Sequence, residues 1–321
     1  MPTPRKNFAL VGAAGYIAPR HMRAIKDTGN VIVAAMDPND SVGIIDSYFP
    51  DSAFFVEFER FDRHVEKLRR AGGDRMIDYV AICSPNYLHD AHIRFALRAH
   101  AHAICEKPLV VNPWNAEALK EIEAESGKRV YTILQLRLHP SIVALRERVA
   151  QAVAANPDVM FDVDLTYITS RGSWYFTSWK GDDTKSGGIV ANIGVHFFDM
   201  LLWVFGPLME SSVHRLDGGA AGGVLQFAHA RVRWFLSIDE AHVPDAVRAK
   251  GQRTYRSITL DGDEIEFSDG FTDLHTASYE HILTGGGFSL DDALHAVKLV
   301  HAIRTGPCHA PDGTAHPLIA A

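Results

Sequence analysis

Short apolar runs alternate with helix-patterned stretches through the first 136 residues, and this alternation limits the fold more than any other property of the chain. The runs are Asn7 to Val11, Val31 to Met36, Phe54 to Phe58, Met76 to Cys83, Ala101 to Cys105 and Arg129 to Leu136. Between them lie helical patterns through His21, Ile25 and Thr28, from Asp62 to Ala71, from His89 to Arg98, and from Asn112, a candidate cap with Pro113 behind it, to Ile122. Strand and helix in strict alternation predict a Rossmann-type, doubly wound parallel sheet. Past His139-Pro140 the pattern changes. A helix from Ser141 to Ala155 and an alternating strand from Val159 to Thr169 precede runs at Ser212 to Leu216, Gly223 to Ala230, Arg231 to Ile238 and Arg256 to Leu260, with turns at Gly262 and Gly270. This predicts an α+β domain with a largely antiparallel sheet. A chain of 321 residues has room for both, and we expect an α/β protein divided at 1–136 and 137–321.

Bulk properties exclude several function classes. The formal net charge is −7, and no lysine and arginine stripe exists to follow a phosphate backbone, so no nucleic-acid partner is expected. No apolar run approaches the roughly 20 residues of a membrane span. Cys83, Cys105 and Cys308 are widely spaced, which fits a reducing cytoplasm and not a zinc ribbon. Seventeen histidines are scattered without an HxxxH or HExxH pair, so no metal is expected.

The ends of the first-half strands carry the candidate chemistry. Gly12, Ala13, Gly15, Tyr16 and Ile17 follow the first strand and lead into a helix. Small residues there let a helix N-terminus approach a pyrophosphate, although any tight turn could use them. Asp37 ends the second strand about two dozen residues later, the spacing of a ribose-binding carboxylate. It favours NAD over NADP, because a carboxylate repels a 2′-phosphate; a plain turn at Asp37 to Asp40 is the alternative. Ser84, Pro85, Asn86 and His89 close the fourth strand and face the same crevice, or His89 is an ordinary helix residue. Glu106-Lys107-Pro108 closes the fifth. A lysine there can be partly desolvated and polarise a reacting oxygen, or it can simply pair with Glu106.

A second constellation lies in the other half. Gly187-Gly188 enters an apolar helix on which Asn192, His196 and Asp199 stand at i, i+4 and i+7, sharing one face. His196 suits proton exchange with a hydroxyl, or it is a hydrogen-bonded core residue. Upstream, Arg171 to Asp182 is rich in aromatic and basic residues, with Tyr175, Trp179 and Lys180 as candidate substrate or interface contacts.

Glycine turn, strand-end acid, S-P-N-x-x-H, E-K-P and G-G-x-x-x-N-x-G-x-H together make the chain resemble the glucose-fructose oxidoreductase and inositol dehydrogenase superfamily over nearly its whole length. The resemblance implies a nucleotide-binding N-terminal domain, a substrate-binding and oligomerising C-terminal domain, a homotetramer, and hydride transfer from a sugar carbon to NAD. It implies Lys107, His196 and Asn192 as the catalytic set. Two departures stand: the G-x-x-G spacing of the turn, and Asn192 where many members carry an aspartate. Gly12 to His21, Asp37 to Pro50, Leu134 to Pro140 and Gly172 to Asp182 resemble the branch that oxidises the 3-hydroxyl of UDP-linked N-acetylglucosaminuronic acid for bacterial lipopolysaccharide. That likeness adds Gln135 and Arg137 to the expected substrate contacts and admits a 2-oxoacid that reoxidises NADH. A dehydrogenase of free sugars or cyclitols, and a non-catalytic NAD sensor, are the alternatives.

Overall fold

The computed structural model describes residues 4–40, 42–265 and 273–320; the expected turn at Gly270 lies outside these residues. The chain forms two compact units, Met1–Gln135 with Thr272–Leu294, and Leu136–Phe271 with His295–Ala321. A single cut at 136 therefore does not describe the division, because a late segment returns to the first unit.

In the first unit six strands, β1 (Asn7–Val11), β2 (Val31–Met36), β3 (Ala53–Phe55), β4 (Tyr79–Ile82), β5 (His102–Cys105) and β6 (Val130–Thr132), form one sheet. Their order is β3-β2-β1-β4-β5-β6 and every pairing is parallel. The order reverses between β1 and β4, so the carboxyl ends of these two strands border the crevice where such sheets take ligands. Phe8, Leu10, Met22, Ile25, Ile104 and Tyr279 are buried in one core. Tyr279 comes from the returning helix Leu274–Leu283, which packs on the helix Ala18–Asp27. Asn112 does precede a helix, Pro113–Ser126, but its side chain makes no capping hydrogen bond.

The second unit holds β7 (Phe161–Thr169), β8 (Leu208–Leu216), β9 (Ala220–Phe227), β10 (Ala230–Ser237), β11 (Thr254–Leu260) and β12 (Asp263–Glu264) in the order β12-β11-β7-β10-β9-β8. All neighbours are antiparallel except β7 and β10, which run parallel. Helical turns from Asp183 to Phe205 join into one stretch of 23 residues, long and apolar enough to cross a membrane by length and composition. The apolar runs of the sequence alone lead us to expect no such stretch. Its apolar surface has a local use: Val190, Phe197, Phe198, Met200, Leu201 and Phe205 are buried in the unit's core with Leu165, Phe227, Trp234 and Leu236.

Candidate active site

At the end of β1 the backbone itself is the functional part. Gly12 has φ 85°, and a Cβ there would lie 2.6 Å from the Cys83 carbonyl carbon and the Ser84 nitrogen. Glycine is required on both counts. The Gly12 and Ala13 N–H groups donate to the Met36 carbonyl at 2.9 and 3.2 Å, which ties the turn to the end of β2. Asp37 completes the join: its Oδ2 accepts from the Ala14 N–H at 2.9 Å and its Oδ1 from the Asn39 N–H at 2.9 Å. Tyr16 is 87% exposed, Ile17 is half-buried, and the helix begins at Ala18 with a proline in its first turn. Turn, helix N-terminus and strand-end acid thus lie together at the end of β1, joined by the Ala14–Asp37 hydrogen bond.

The end of β4 is braced from within. Ser84 Oγ lies 2.8 Å from His92 Nδ1, and Pro85 and buried Asn86 continue the turn. His89, expected to face the cofactor, is fully buried, with Nδ1 2.7 Å from the Pro108 carbonyl and Nε2 2.9 Å from the Ser84 carbonyl. It works as a strut joining two strand-end turns. Burial lowers its pKa, partly offset by those carbonyls, so the ring is neutral and donates to one carbonyl at a time.

Glu106, also expected at the cofactor, is only 5% exposed and is engaged by neighbours the sequence did not suggest. Its Oε1 lies 2.9 Å from His21 Nε2 and 3.0 Å from His275 Nε2, and Tyr279 Oη lies 2.8 Å from His21 Nδ1. Burial works to raise the Glu106 carboxyl, but the hydrogen bonds from both histidines outweigh it and hold the group well below the usual carboxylate range. Burial pushes His21 down. His21, Glu106 and His275 also form the kind of donor set that can hold a metal ion. Lys107 follows, half-buried, in a cis peptide with Pro108, and its N–H donates to Glu106 Oε2 at 3.2 Å.

In the second unit the three aligned polar residues turn out to serve different partners. Val190–Gly194 is π-helical, so the regular i, i+4, i+7 face is broken before the α-helix Val195–Phe205 begins. Asn192 Nδ2 donates to the Tyr175 hydroxyl at 3.1 Å, which draws Tyr175, 2% exposed, inward. Asp199 takes a two-pronged bond from Arg137, Nη2 to Oδ1 at 2.7 Å and Nε to Oδ2 at 3.0 Å. Arg137, expected at the substrate, is 8% exposed and belongs to this buried pair. His196 remains half-buried beside them in the sequence. Lys180 Nζ sits 4.5 Å from the Trp179 ring centre and 5.8 Å from that of Trp174, and burial together with Arg171 lowers its pKa. Gln135, at the first unit's boundary, has its amide oxygen buried without a hydrogen-bond partner among the described residues.

The oxidoreductase family with an NAD-binding Rossmann fold, GFO_IDH_MocA, matches residues 6–134, and its C-terminal alpha/beta domain matches residues 159–255. The WlbA (WbpB) dehydrogenase of Thermus thermophilus, solved with NAD and alpha-ketoglutarate, is 51% identical, with a TM-score of 0.93 over 98% of this chain and 99% of that one. The chain belongs to the GFO_IDH_MocA family. The same dehydrogenase solved with NAD and UDP-GlcNAcA is matched at 50% identity and a TM-score of 0.92, over 98% and 99% of the two chains. Among curated relatives, D-glucoside 3-dehydrogenase of Escherichia coli is 30% identical over 135 residues, 42% of this chain and 38% of that enzyme. The chain spans little more than half of another, the 1,5-anhydro-D-fructose reductase of Ensifer adhaerens, at 56% of its length. The family's nucleotide-binding match covers the Gly12 turn, Asp37 and Lys107.

Proposed function

We propose that the chain oxidises the C3 hydroxyl of UDP-N-acetylglucosaminuronic acid to the 3-keto sugar, with NAD as the hydride acceptor. The observation that carries this reading is the full-length likeness, at 50% identity, to a dehydrogenase solved with NAD and UDP-GlcNAcA. NAD supplies nicotinamide C4 as the acceptor. The chain's own residues do the rest: the Gly12 turn lets the pyrophosphate approach the helix N-terminus, where the Tyr16 and Ile17 N–H groups meet it, and Asp37 receives the ribose hydroxyls. Lys107 polarises the C3 oxygen and steadies its developing negative charge, and His196 takes the hydroxyl proton as hydride leaves C3. Asn192, already bonded to Tyr175, orients a substrate hydroxyl but cannot take a proton. Gln135 offers its unpartnered amide oxygen to another hydroxyl, and Lys180 between its tryptophans meets a carboxylate or phosphate. A 2-oxoacid such as alpha-ketoglutarate, present in the related structure, fits as the oxidant that returns NADH to NAD by accepting hydride and a proton. We also propose that the second unit carries substrate binding and assembly into a homotetramer. The 3-keto product suits transamination toward a diamino uronic acid of lipopolysaccharide O-antigen, made in the cytoplasm.

The test is NADH absorbance after mixing protein, NAD and the nucleotide sugar, with and without alpha-ketoglutarate. Reduction of NAD, or production of 2-hydroxyglutarate only when both substrates are present, is the expected result. Bound NAD without turnover of this sugar in either format would overturn the substrate assignment.

A further inference from the structure

The cluster beneath Lys107 is more ordered than a cofactor contact needs. A carboxylate oxygen only accepts, so the two ring nitrogens that face Glu106 Oε1 both donate, and His21 and His275 each hold their proton on Nε2. His21 Nδ1 then accepts from the Tyr279 hydroxyl. Among the described residues His275 Nδ1 is buried without a partner, which suits a bare lone pair better than a stranded N–H. Glu106 Oε2 receives the Lys107 N–H. Four further titratable groups that feel this carboxylate are buried and held neutral: the thiols of Cys83 and Cys105 and the Tyr279 hydroxyl are pushed well up, and His89 is pushed down; the adjacent cation is half-buried Lys107.

We propose that Tyr279, His21 and His275 are positioning residues, a chain of donors that holds Glu106 as a fixed carboxylate and, through the Lys107 N–H, sets the backbone from which the Lys107 side chain leaves. The proton pattern stands independently of the substrate; only its effect on rate rests on the function proposed above. The competing use of the same atoms is a metal ion. An ion would take the lone pairs of both Nε2 atoms, moving the His21 proton to Nδ1, so the two uses differ in where the protons are.

The first arm is metal content of the purified protein together with a long-range proton–nitrogen spectrum of the 15N-histidine-labelled chain. No stoichiometric metal, with the His21 and His275 protons facing Glu106 on Nε2, is expected; one zinc per chain, or rings with Nδ1–H and a bare Nε2, overturns the proposal. Tyr279→Phe removes one hydroxyl with little change in volume, and should alter the His21 signals while the fold persists. The second arm is kinetic. His275→Ala should lower kcat roughly 10–100-fold and shift its pH profile while NAD Kd stays within about threefold, and His275→Gln, which keeps an N–H donor, should recover much of the rate. An unchanged profile in His275→Ala, or no rescue by glutamine, overturns the positioning role. If the wild-type chain fails to oxidise the nucleotide sugar, the substrate reading falls and the spectrum still decides the donor chain.

Discussion

Gly12 carries two independent demands, a positive φ and the absence of a Cβ against the Cys83–Ser84 backbone at 2.6 Å. Neither neighbour is a side chain that can swing away. Gly12→Ala should therefore cost more than the ~1 kcal/mol of an ordinary glycine replacement and weaken NAD binding, as read by urea unfolding and by NADH fluorescence. Gly29 offers the control. Its φ is 76° but nothing lies within 4 Å of its Cβ position, so Gly29→Ala should show strain alone. The buried histidines make a separate forecast about acid. His92 and His316 are lowered from 6.5 to about 4, chiefly by burial, and His21 and His89 are lowered in the same direction. Between those values the unfolded chain binds protons that the folded one refuses, so stability is complete above pH 6.5 and falls as the pH drops. Each ring contributes a slope of up to about 1.4 kcal/mol per pH unit. The depressed Glu106 adds a second loss only below its ordinary 4.5, as the pH falls through its folded value. Urea midpoints at pH 7.5 and pH 5.5 should differ clearly, and equal midpoints would contradict neutral burial of these rings.

The helix that carries Asn192 and His196 depends on a close approach. A Cβ on Gly194 would meet Leu236 Cδ1 at 2.6 Å and the Phe198 ring at 2.8 Å, so helix and β10 pack through a missing side chain. Gly194→Ala should cost roughly 1–3 kcal/mol in chemical denaturation, less if Leu236 finds another rotamer. The neighbouring pair is more exacting. Arg137→Ala would remove the two-pronged partner of Asp199, 2% exposed, and should cost about 3–5 kcal/mol, whereas replacing both partners by Met and Leu should recover much of the loss. Elements of this kind differ in how far the sequence discloses them. Parallel strands buried on both faces leave continuous apolar runs, which is why β1, β2, β4 and β5 could be read directly. β3 stops at Phe55 because Phe58 turns to pack with Phe61, Phe95 and His92 as part of the next helix, yet composition treats these aromatics alike. The π turn at Val190–Gly194 and the parallel pairing of β7 with β10 leave no periodic trace either. Within the site, Lys107 was legible because its strand end is local. The rings on Glu106 were not, since they arrive from 85 and 169 residues away with no spacing to betray them.

Across the whole molecule, family membership, the two sheets and the conformation of the Gly12 turn agree on a dinucleotide site in the first unit. Binding there must stabilise the fold by mass action. NAD at 100 times its Kd should add about 2.7 kcal/mol and raise Tm, and a thermal scan that ignores NAD would count against the site. The return of Thr272–Leu294 to the first unit has one further consequence, in the order of manufacture. A ribosome releases Gln135 long before it reaches His275 and Tyr279, roughly 7–29 s at about 5–20 residues per second. Through that interval the nascent nucleotide-binding unit lacks the donors that settle Glu106 and the helix that covers His21. The half of the protein made first is finished almost last.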